Sequence, residues 1–363
     1  MGKKFIIAGG GTGGHIFPAI AIANAIKLQL PDAEFLFVGA RGKMEMEKVP
    51  QAGFKIEGLD IAGLNRSSFL KNISLPFKLI KSFFQVRSII SRFKPDAVIG
   101  VGGYSSFPVL KTAQGKGIPT FIHESNAFAG KANMMIGKNA TKVFVATPGM
   151  EKFFPPEKIV VTGNPVRNAI ASMSAGRTEA LRFFNMDDKK TTVLSIGGSL
   201  GAKSINEAVD AGLDKLAAAG LQLIWQTGIP YAERGKAAVK GRKDVWANEF
   251  IKEMDMAYAA ADVVISRAGA MSVAELCVAG KPTIFVPYPF AAEDHQTFNA
   301  KKLADDNAAI LIKDGDTKLL LIDTVISLAK YGDLKETLAK NIAAKGIRNA
   351  DEKIATAIIA AIK

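Results

Sequence analysis

Two glycine-rich turns in the chain have the form of anion-binding sites. The first, Gly9–Gly14, follows the apolar run Phe5–Ala8, and the second, Gly197–Ala202, follows Val193–Ile196. Because each turn lies between a predicted strand and a predicted helix, it places bare backbone N–H groups at a helix N-terminus, where the helix dipole favours a phosphate. One such turn indicates a nucleotide site. Two in equivalent places predict a pair of similar domains.

The surroundings of the turns fit the common nucleotide motifs only in part. The first turn has the spacing G-x-G-x-x-G, but the next strand, Phe35–Val38, runs into Gly39-Ala40-Arg41 and supplies no acidic residue for the ribose of NAD. Arg41 would instead suit a 2′-phosphate, which leaves an NADP-dependent oxidoreductase open. The second turn is not a P-loop, because Lys203 is not directly preceded by a glycine.

All three histidines of the chain lie at or after the ends of predicted strands. His15 comes directly after the first turn, His123 ends a strand, and His295 lies beyond the strand Thr283–Val286. Open α/β sheets bind ligands at the carboxyl ends of their strands, so these side chains are expected to line a site. Imidazole titrates near neutral pH, and a histidine placed there can serve as a general base.

Two acidic motifs in the second half allow a functional and a plain interpretation. Ser272 and Glu275 have the spacing of a capping box, so Glu275 either caps a helix or accepts two hydrogen bonds from a ribose diol. Asp314-Gly315-Asp316 has the D-x-D pattern of metal-dependent sugar transferases, but its glycine and its place after a strand favour a turn. We therefore assign no metal site.

The segment Leu75–Phe93 predicts a helix with more apolar residues than one buried face needs. One stripe at helical spacing is expected in the core and comprises Leu75, Leu79, Phe83, Val86, Ile90 and Phe93. A second stripe consists of Phe77, Ile80 and Phe84, bordered by the basic residues Lys81 and Arg87. Either the helix is buried on two sides, or the second stripe is an exposed membrane-surface contact.

Composition narrows the class of protein. The chain has 363 residues, enough for two cores, and 47 basic against 34 acidic residues give a net charge of +13. That charge favours anionic partners, and because no zinc-ligand spacing, RNP-like motif or basic helix–turn–helix occurs, we expect phosphorylated small molecules or lipid head groups and no nucleic acid. The single cysteine, Cys277, and the lack of a signal or membrane-spanning segment predict a cytosolic protein.

Strand-like runs alternate with helix-like segments throughout, which predicts an α/β fold of two Rossmann-like, doubly wound parallel sheets facing a cleft. The domains are expected at residues 1–163 and 179–344, joined by a polar linker at 164–178, with a C-terminal helix at 345–363 packing back on the first domain. The predicted strands are Lys4–Ala8, Glu34–Val38, Ala97–Val101, Pro119–His123, Lys142–Ala146, Ile159–Thr162, Thr192–Ile196, Gln222–Gln226, Val245–Asn248, Val263–Ser266, Thr283–Val286 and Ala309–Ile312.

An ordered set of motifs spans almost the whole length and resembles the MurG family of peptidoglycan glycosyltransferases, within the GT-B superfamily. The set comprises Gly10-Gly11-Thr12-Gly13-Gly14-His15, Gly102-Gly103-Tyr104, His123-Glu124-Ser125-Asn126, Gly163-Asn164-Pro165-Val166-Arg167, Gly197-Gly198-Ser199-Leu200-Gly201-Ala202, Ser266-Arg267-Ala268-Gly269-Ala270 and His295-Gln296-Thr297-Phe298-Asn299-Ala300. Each glycine-rich loop alone is unspecific, but their order is highly specific.

The resemblance implies an inverting transfer of N-acetylglucosamine (GlcNAc) from UDP-GlcNAc to the 4-hydroxyl of the muramoyl unit of undecaprenyl-linked lipid I, giving lipid II. In this family the second domain holds the nucleotide and the first holds the acceptor. The implied donor-binding residues are Thr12, Gly13, Gly14, Asn126, Arg167, Ser199, Ile251 (through its backbone to uracil), Arg267, Ala270, Met271, Ser272, Val273, Ala274, Glu275 (to the ribose) and Gln296 (to the sugar).

For the chemistry we expect His15 to be the base, with Glu124 as the alternative. The second turn is expected to stabilise the leaving diphosphate without a metal or other cofactor. Acceptor or membrane contacts are expected at Tyr104, Phe77, Ile80, Lys81, Phe84 and Arg87.

The expected partners are UDP-GlcNAc, lipid I, an anionic membrane surface and other cell-wall synthesis proteins, and the expected location is peripheral, on the cytoplasmic face of the bacterial cell membrane. A diacylglycerol glycosyltransferase or a sugar-nucleotide epimerase of the same fold remains the alternative.

Overall fold

The computed structural model describes residues 2–63, 74–198 and 200–362. The chain forms two compact units. The first comprises Met1–Val166 together with Asn349–Lys363, and the second comprises Arg167–Arg348. Each unit has its own sheet and core.

The first unit is built on a parallel sheet with the strand order β3-β2-β1-β4-β5-β6-β7. The strands are β1 (Lys4–Ala8), β2 (Glu34–Ala40), β3 (Lys55–Leu59), β4 (Ala97–Gly100), β5 (Thr120–Glu124), β6 (Lys142–Val145) and β7 (Ile159–Val161). The helices are α1 (Gly13–Gln29), α2 (Glu45–Gln51), α3 (Leu75–Phe93), α4 (Ser106–Gly115) and α5 (Lys131–Gly137). The central strands are apolar runs because helices cover both faces of the sheet.

The second unit has a parallel sheet with the order β10-β9-β8-β11-β12-β13. Its strands are β8 (Thr191–Ile196), β9 (Leu221–Gln226), β10 (Val245–Asn248), β11 (Val263–Ser266), β12 (Thr283–Phe285) and β13 (Ile310–Leu311). Its helices are α6 (Asn168–Ala171), α7 (Arg177–Phe183), α8 (Lys203–Ala218), α9 (Ala232–Ala238), α10 (Met254–Ala260), α11 (Ala270–Ala279), α12 (His295–Asp305), α13 (Thr317–Lys330) and α14 (Gly332–Ala343).

Each sheet reverses its winding between two central strands, β1 and β4 in the first unit and β8 and β11 in the second. A crevice opens at the carboxyl ends of the strands at such a point. The two glycine-rich turns follow β1 and β8, so both lie at these reversal points. The doubly wound α/β fold predicted from the sequence is confirmed for both units.

The last helix, α15 (Ala350–Ala361), belongs to the first unit. Its residues Ile354, Ala355 and Ile358 are fully buried in a core that also contains Ile22 and Ile26 of α1. The helix therefore closes one face of the first sheet.

Two details differ from the sequence-based expectations. The segment 164–178 is not a single connector: the units divide between Val166 and Arg167, and the rest carries helix α6 and the start of α7. Strand β3 is missing from the predicted set because it is an edge strand whose residues, except Leu59, are only partly buried or exposed. Among the described residues, no helix is long and apolar enough to cross a membrane.

Candidate functional site

The first glycine-rich turn uses its amide groups internally. The N–H of Gly9 donates to the Val38 carbonyl, the N–H of Gly10 to the Gly102 carbonyl, and the N–H of Gly11 to Oε2 of Glu45 at 2.8 Å. Helix α1 begins two residues later, and its first N–H groups have no intrahelical acceptor. The amides open to a ligand are therefore those of the helix start, where the sequence places Gly13 and Gly14.

His15 lies in the first turn of α1, against the loop that follows β4. A Cβ built on Gly102 would come within 2.7 Å of the His15 ring, so the glycine, with φ of +97°, makes room for the imidazole. The next motif residue, Tyr104, packs on Gly63 and Gly11. Burial, and then the Glu45 carboxylate, raise the pKa of the Tyr104 hydroxyl. The structure thus brings His15 and Tyr104 to the same sheet edge.

His123 is a structural residue. Its ring is fully buried, one ring nitrogen lies 3.4 Å from the Gly163 carbonyl, and the other lies 3.4 Å from the Ser125 hydroxyl. Burial lowers the pKa of His123 to about 4, outweighing the opposite effect of the Gly163 carbonyl. Because His123 ends a strand, we expected it to line the site with the other two histidines. Its ring is instead buried inside the protein.

Glu124, the alternative base, is also buried, and both of its carboxylate oxygens are engaged. It accepts hydrogen bonds from the backbone and side chain of Asn126, from the Gly130 N–H and from the Asn133 side chain, at 2.9–3.3 Å. Four donors on one carboxylate fix the loop that carries Asn126.

The second glycine-rich turn is built differently. Gly198 and Gly201 have φ of +80° and +71°, and the N–H of Gly201 donates to the Gly198 carbonyl, which also accepts from Gln226. A Cβ on Gly201 would lie 2.2 Å from the Thr227 carbonyl, so the turn is pressed against β9. Helix α8 starts at Lys203. Ser199, expected at the diphosphate, lies outside the described residues.

Glu275, the expected ribose ligand, lies on α11 and is almost completely buried. Its carboxylate receives two hydrogen bonds from the Arg167 guanidinium, at 2.6 and 2.7 Å, and a third from the Tyr258 hydroxyl at 3.2 Å. It does not cap the helix. The sequence placed both Arg167 and Glu275 in the site, and the structure joins them directly. Tyr258 was missed, because nothing in its spacing distinguishes it from a core residue.

The start of α11 lies beside β11 at the reversal point of the second sheet. Gly269 is the N-cap, and the side chains of Ala270, Met271, Ser272 and Val273 are partly exposed. A nucleotide lying along this first helical turn would meet small side chains and unpaired backbone N–H groups.

Arg267, which precedes this helix, is held by the protein. Its guanidinium donates to the carbonyls of Val286 and Pro287 and pairs with Asp314 at 2.5 Å, and the Ser204 hydroxyl bonds to both Arg267 and Asp314. The D-x-D segment is a short 3₁₀ turn, as the sequence favoured, and Asp314 links the start of α8 to the loop after β12. No cluster of three potential metal ligands occurs among the described residues.

The remaining expected donor contacts are Ile251 and Gln296. The Ile251 N–H donates to the Gln226 side chain, and the Gln296 side-chain oxygen accepts from the Tyr288 N–H. The neighbouring His295 begins α12 after two residues in left-handed conformation, Glu293 and Asp294. This geometry turns the chain sharply from the loop after β12 into α12.

The second apolar stripe of α3 is exposed. The exposed fractions of Phe77, Ile80 and Phe84 are 74%, 56% and 67%, whereas Val86 and Ile90 of the first stripe are buried in the core. The expectation that the helix is buried on two sides is therefore wrong.

The basic residues beside the stripe differ in their pairing. Lys81 pairs with Asp60 at 2.8 Å, and Asp60 also binds Arg41. The hydrogen bond from Lys81 lowers the pKa of Asp60. Arg87 is exposed. Arg41, which the sequence offered for a 2′-phosphate, is thus paired with Asp60.

Comparison with known proteins gives consistent matches over both units. Residues 5–145 match the glycosyltransferase family 28 N-terminal domain, and residues 192–354 match the glycosyltransferase family 28 C-terminal domain. A protein of Phocaeicola vulgatus named UDP-N-acetylglucosamine–N-acetylmuramyl-(pentapeptide) pyrophosphoryl-undecaprenol N-acetylglucosamine transferase is 51% identical, over 94% of this chain and 91% of its own.

Two further matches agree with these. A protein of the same name from Parabacteroides distasonis is 47% identical over 98% of this chain and 97% of its own. The crystal structure of Acinetobacter baumannii MurG superposes with a TM-score of 0.81 at 31% identity, covering 99% of both chains. The likeness thus covers both units.

Proposed function

Because the chain belongs to glycosyltransferase family 28 and, within it, to the MurG enzymes, we propose that it transfers GlcNAc from UDP-GlcNAc to the 4-hydroxyl of the muramoyl-pentapeptide of lipid I, forming lipid II. The observation that carries this proposal is the near full-length likeness to relatives that bear the name of this enzyme. The partly exposed helix start beside Glu275, at the reversal point of the second sheet, suits a sugar nucleotide.

The donor is proposed to bind on the second unit. Glu275 would accept hydrogen bonds from the ribose hydroxyls, and the N-termini of α8 and α11 would face the diphosphate, as would Ser199, which precedes α8 in the sequence. In the structure Arg167 holds both Glu275 oxygens, so ribose binding must share or replace these hydrogen bonds. Ile251 at uracil and Gln296 at the sugar complete the proposed donor contacts of this unit. Thr12, Gly13, Gly14 and Asn126 are also proposed as donor-binding residues.

The proposed reaction is a single displacement with inversion at the anomeric carbon. The acceptor oxygen forms the new bond to that carbon as the bond to the diphosphate breaks, and the hydroxyl proton passes to His15. Glu124 is the weaker candidate, because four hydrogen bonds already hold its carboxylate. A positioned base of this kind contributes typically about 10²–10⁴-fold to the rate.

Departure of UDP is proposed to need no metal. Negative charge develops on the diphosphate, and fixed backbone dipoles at a helix N-terminus stabilise such charge without reorganisation. Asp314 of the D-x-D segment is already paired with Arg267. Turnover in the presence of EDTA tests this proposal.

The exposed stripe of Phe77, Ile80 and Phe84 is proposed as the membrane contact. The acceptor is anchored in the bilayer by its undecaprenyl chain, so the protein must reach the membrane surface to use it. An apolar patch beside Lys81 and Arg87, on a chain with a charge of +13, suits an anionic membrane. We accordingly propose a peripheral location on the cytoplasmic face of the cell membrane. Tyr104 is proposed to contact the acceptor, and other cell-wall synthesis proteins are proposed as partners.

The test of the reaction is incubation with UDP-GlcNAc and a soluble lipid I analogue. Release of UDP together with disaccharide formation is expected, with and without EDTA. Transfer of GlcNAc to a diacylglycerol in place of the lipid I analogue, giving a glycosyl-diacylglycerol, would favour the rival lipid glycosyltransferase, and conversion of UDP-GlcNAc without any acceptor would favour an epimerase. Stabilisation of the protein by NADP and not by UDP would favour the oxidoreductase.

A further inference from the structure

A buried carboxylate lies directly beneath the first glycine-rich turn. Glu45 is the first residue of α2, and only 1% of its surface is exposed. Its Oε2 accepts the Gly11 N–H at 2.8 Å, and its Oε1 accepts the Ala40 N–H at 3.0 Å. This one side chain therefore joins the segment that follows β1 to the last residue of the neighbouring strand β2.

Two glycines make the space for this side chain. A Cβ built on Gly10 would lie 2.3 Å from Cδ of Glu45, and one built on Gly39 would lie 2.5 Å from its Cγ. Real Cβ atoms do not approach other atoms so closely. Gly39 has no left-handed φ that would require a glycine for another reason, so its lack of a side chain is explained by Glu45 alone.

The carboxylate occupies the role that a phosphate has in other glycine-rich turns. Backbone N–H groups after the first strand of a doubly wound sheet commonly bind a diphosphate. Here the Gly11 N–H is already bound to a negative group of the protein itself. A buried carboxylate needs such donors, because it is costly to remove from water unpaired.

The same turn sets the place of His15. Gly10 donates to the Gly102 carbonyl, and the ring of His15 lies against Gly102. The turn is thus tied on one side to Gly102 and on the other to Glu45, and α1 begins at its end. A shift of the turn away from Glu45 would move the start of the helix and the imidazole with it.

We propose that Glu45 is a positioning residue for the transfer reaction: an internal anion that fixes the first glycine-rich turn and thereby holds His15 in place. The proposal rests on the proposed role of His15 as the base. On this proposal the two turns have different anionic partners. The first turn binds the carboxylate of Glu45, and the second binds the diphosphate of the donor.

The test compares Glu45→Gln with Glu47→Gln. The first change keeps the shape of the side chain but turns an N–H₂ group toward one of the two backbone donors, whereas Glu47 is exposed on the same helix. For Glu45→Gln we expect kcat on a soluble lipid I analogue to fall about 10- to 100-fold, as displacement of a reacting group does, with the Kd of UDP within about twofold of wild type. Glu47→Gln should match wild type in both.

A double-mutant cycle distinguishes positioning from a general structural role. If Glu45 acts through His15, then Glu45→Gln should cost much less in a His15→Ala background than in wild type, because the group it positions is gone. An equal cost in both backgrounds, or a loss of UDP binding in parallel with kcat, would overturn the proposal. So would a kcat for Glu45→Gln within about twofold of wild type.

If Glu45→Gln does not accumulate as folded protein, Glu45→Asp takes its place. It keeps the charge but is one methylene too short to reach both Gly11 and Ala40, so a reduced kcat with normal UDP binding is again expected, and a normal kcat would overturn the proposal. Failure of this inference is distinct from failure of the proposed function. A wild-type protein that forms no disaccharide refutes the function, whereas active wild type with unaffected Glu45 variants refutes only the positioning role.

Discussion

The two glycine-rich turns follow equivalent strands of their sheets, yet their amide groups have different partners. In the first turn, Gly11 donates to the buried carboxylate of Glu45, whereas in the second turn Gly201 donates to the Gly198 carbonyl within the turn. The first turn also has the better G-x-G-x-x-G spacing. We therefore propose that the first turn, although it is closer to the nucleotide motif, does not bind the donor, because the protein has already supplied it with an anion.

The largest effect on turnover is expected for a change at His15, which follows the first turn. We expect His15→Ala to lower kcat about 10²-fold or more, because it removes the proposed base, while leaving the Kd of UDP nearly unchanged. Steady-state kinetics on a soluble acceptor and calorimetric titration of UDP measure the two quantities separately. Turnover close to wild type would remove His15 from the chemistry and return Glu124 to consideration.

On the second unit, Glu275→Gln is expected to weaken UDP binding. Hydrogen bonds to a charged group are worth about 1.5–3 kcal/mol, which corresponds to about 10- to 100-fold in Kd. Tyr258→Phe is the matched variant, since it removes only the 3.2 Å hydrogen bond to the same carboxylate and should weaken binding by less than about tenfold. Unchanged binding of UDP by Glu275→Gln would contradict the proposed ribose contact.

The two units are also expected to differ in membrane binding. The proposed membrane contact, the exposed stripe of α3, lies on the first unit, which also carries the first turn. Replacing both Phe77 and Phe84 by serine should reduce binding to anionic liposomes about tenfold or more, at the usual value of about 25 cal/mol per Å² of apolar surface. Activity on a soluble acceptor should persist. Leu28→Ser is the control, since Leu28 is an apolar residue on α1 that is even more exposed than Phe77 and Phe84. Equal liposome binding by the double variant and wild type would refute the contact.

The smallest effect is expected at His123, the buried histidine of the first unit, in contrast to His15, the proposed base. Its pKa is about 4 in the folded protein and 6.5 ordinarily, so the unfolded chain binds more protons between these values, and stability falls as the pH is lowered through that range. The free energy of unfolding should drop by about 2 kcal/mol between about pH 7 and 5 from this residue. Urea unfolding of wild type and His123→Gln measures the difference. An equal slope in wild type and His123→Gln would contradict burial of a neutral ring.

Most of the fold could be predicted from the sequence, because buried parallel strands are short apolar runs bounded by glycines and polar residues. Strand β3, Lys55–Leu59, was missed since an edge strand needs no such run. The second apolar stripe of α3 could be identified from its spacing, but only the structure could show whether another element covers it.

The site was less predictable where it depends on residues far apart in the chain. Glu45 stands in a charged segment and has the pattern of a surface residue, and its burial depends on Gly10 and Gly39. The bond between Arg167 and Glu275 joins residues 108 positions apart. Such pairings leave no periodic signal in a single sequence.

The central claim is that the diphosphate of the donor binds at the second turn and not at the first. A crystal structure with UDP-GlcNAc tests it most directly. We expect the diphosphate oxygens against the amides of the second turn and the start of α8, with the Gly11 N–H still bound to Glu45. Diphosphate bound at Gly9–Gly11, with the Glu45 carboxylate displaced, would contradict the account.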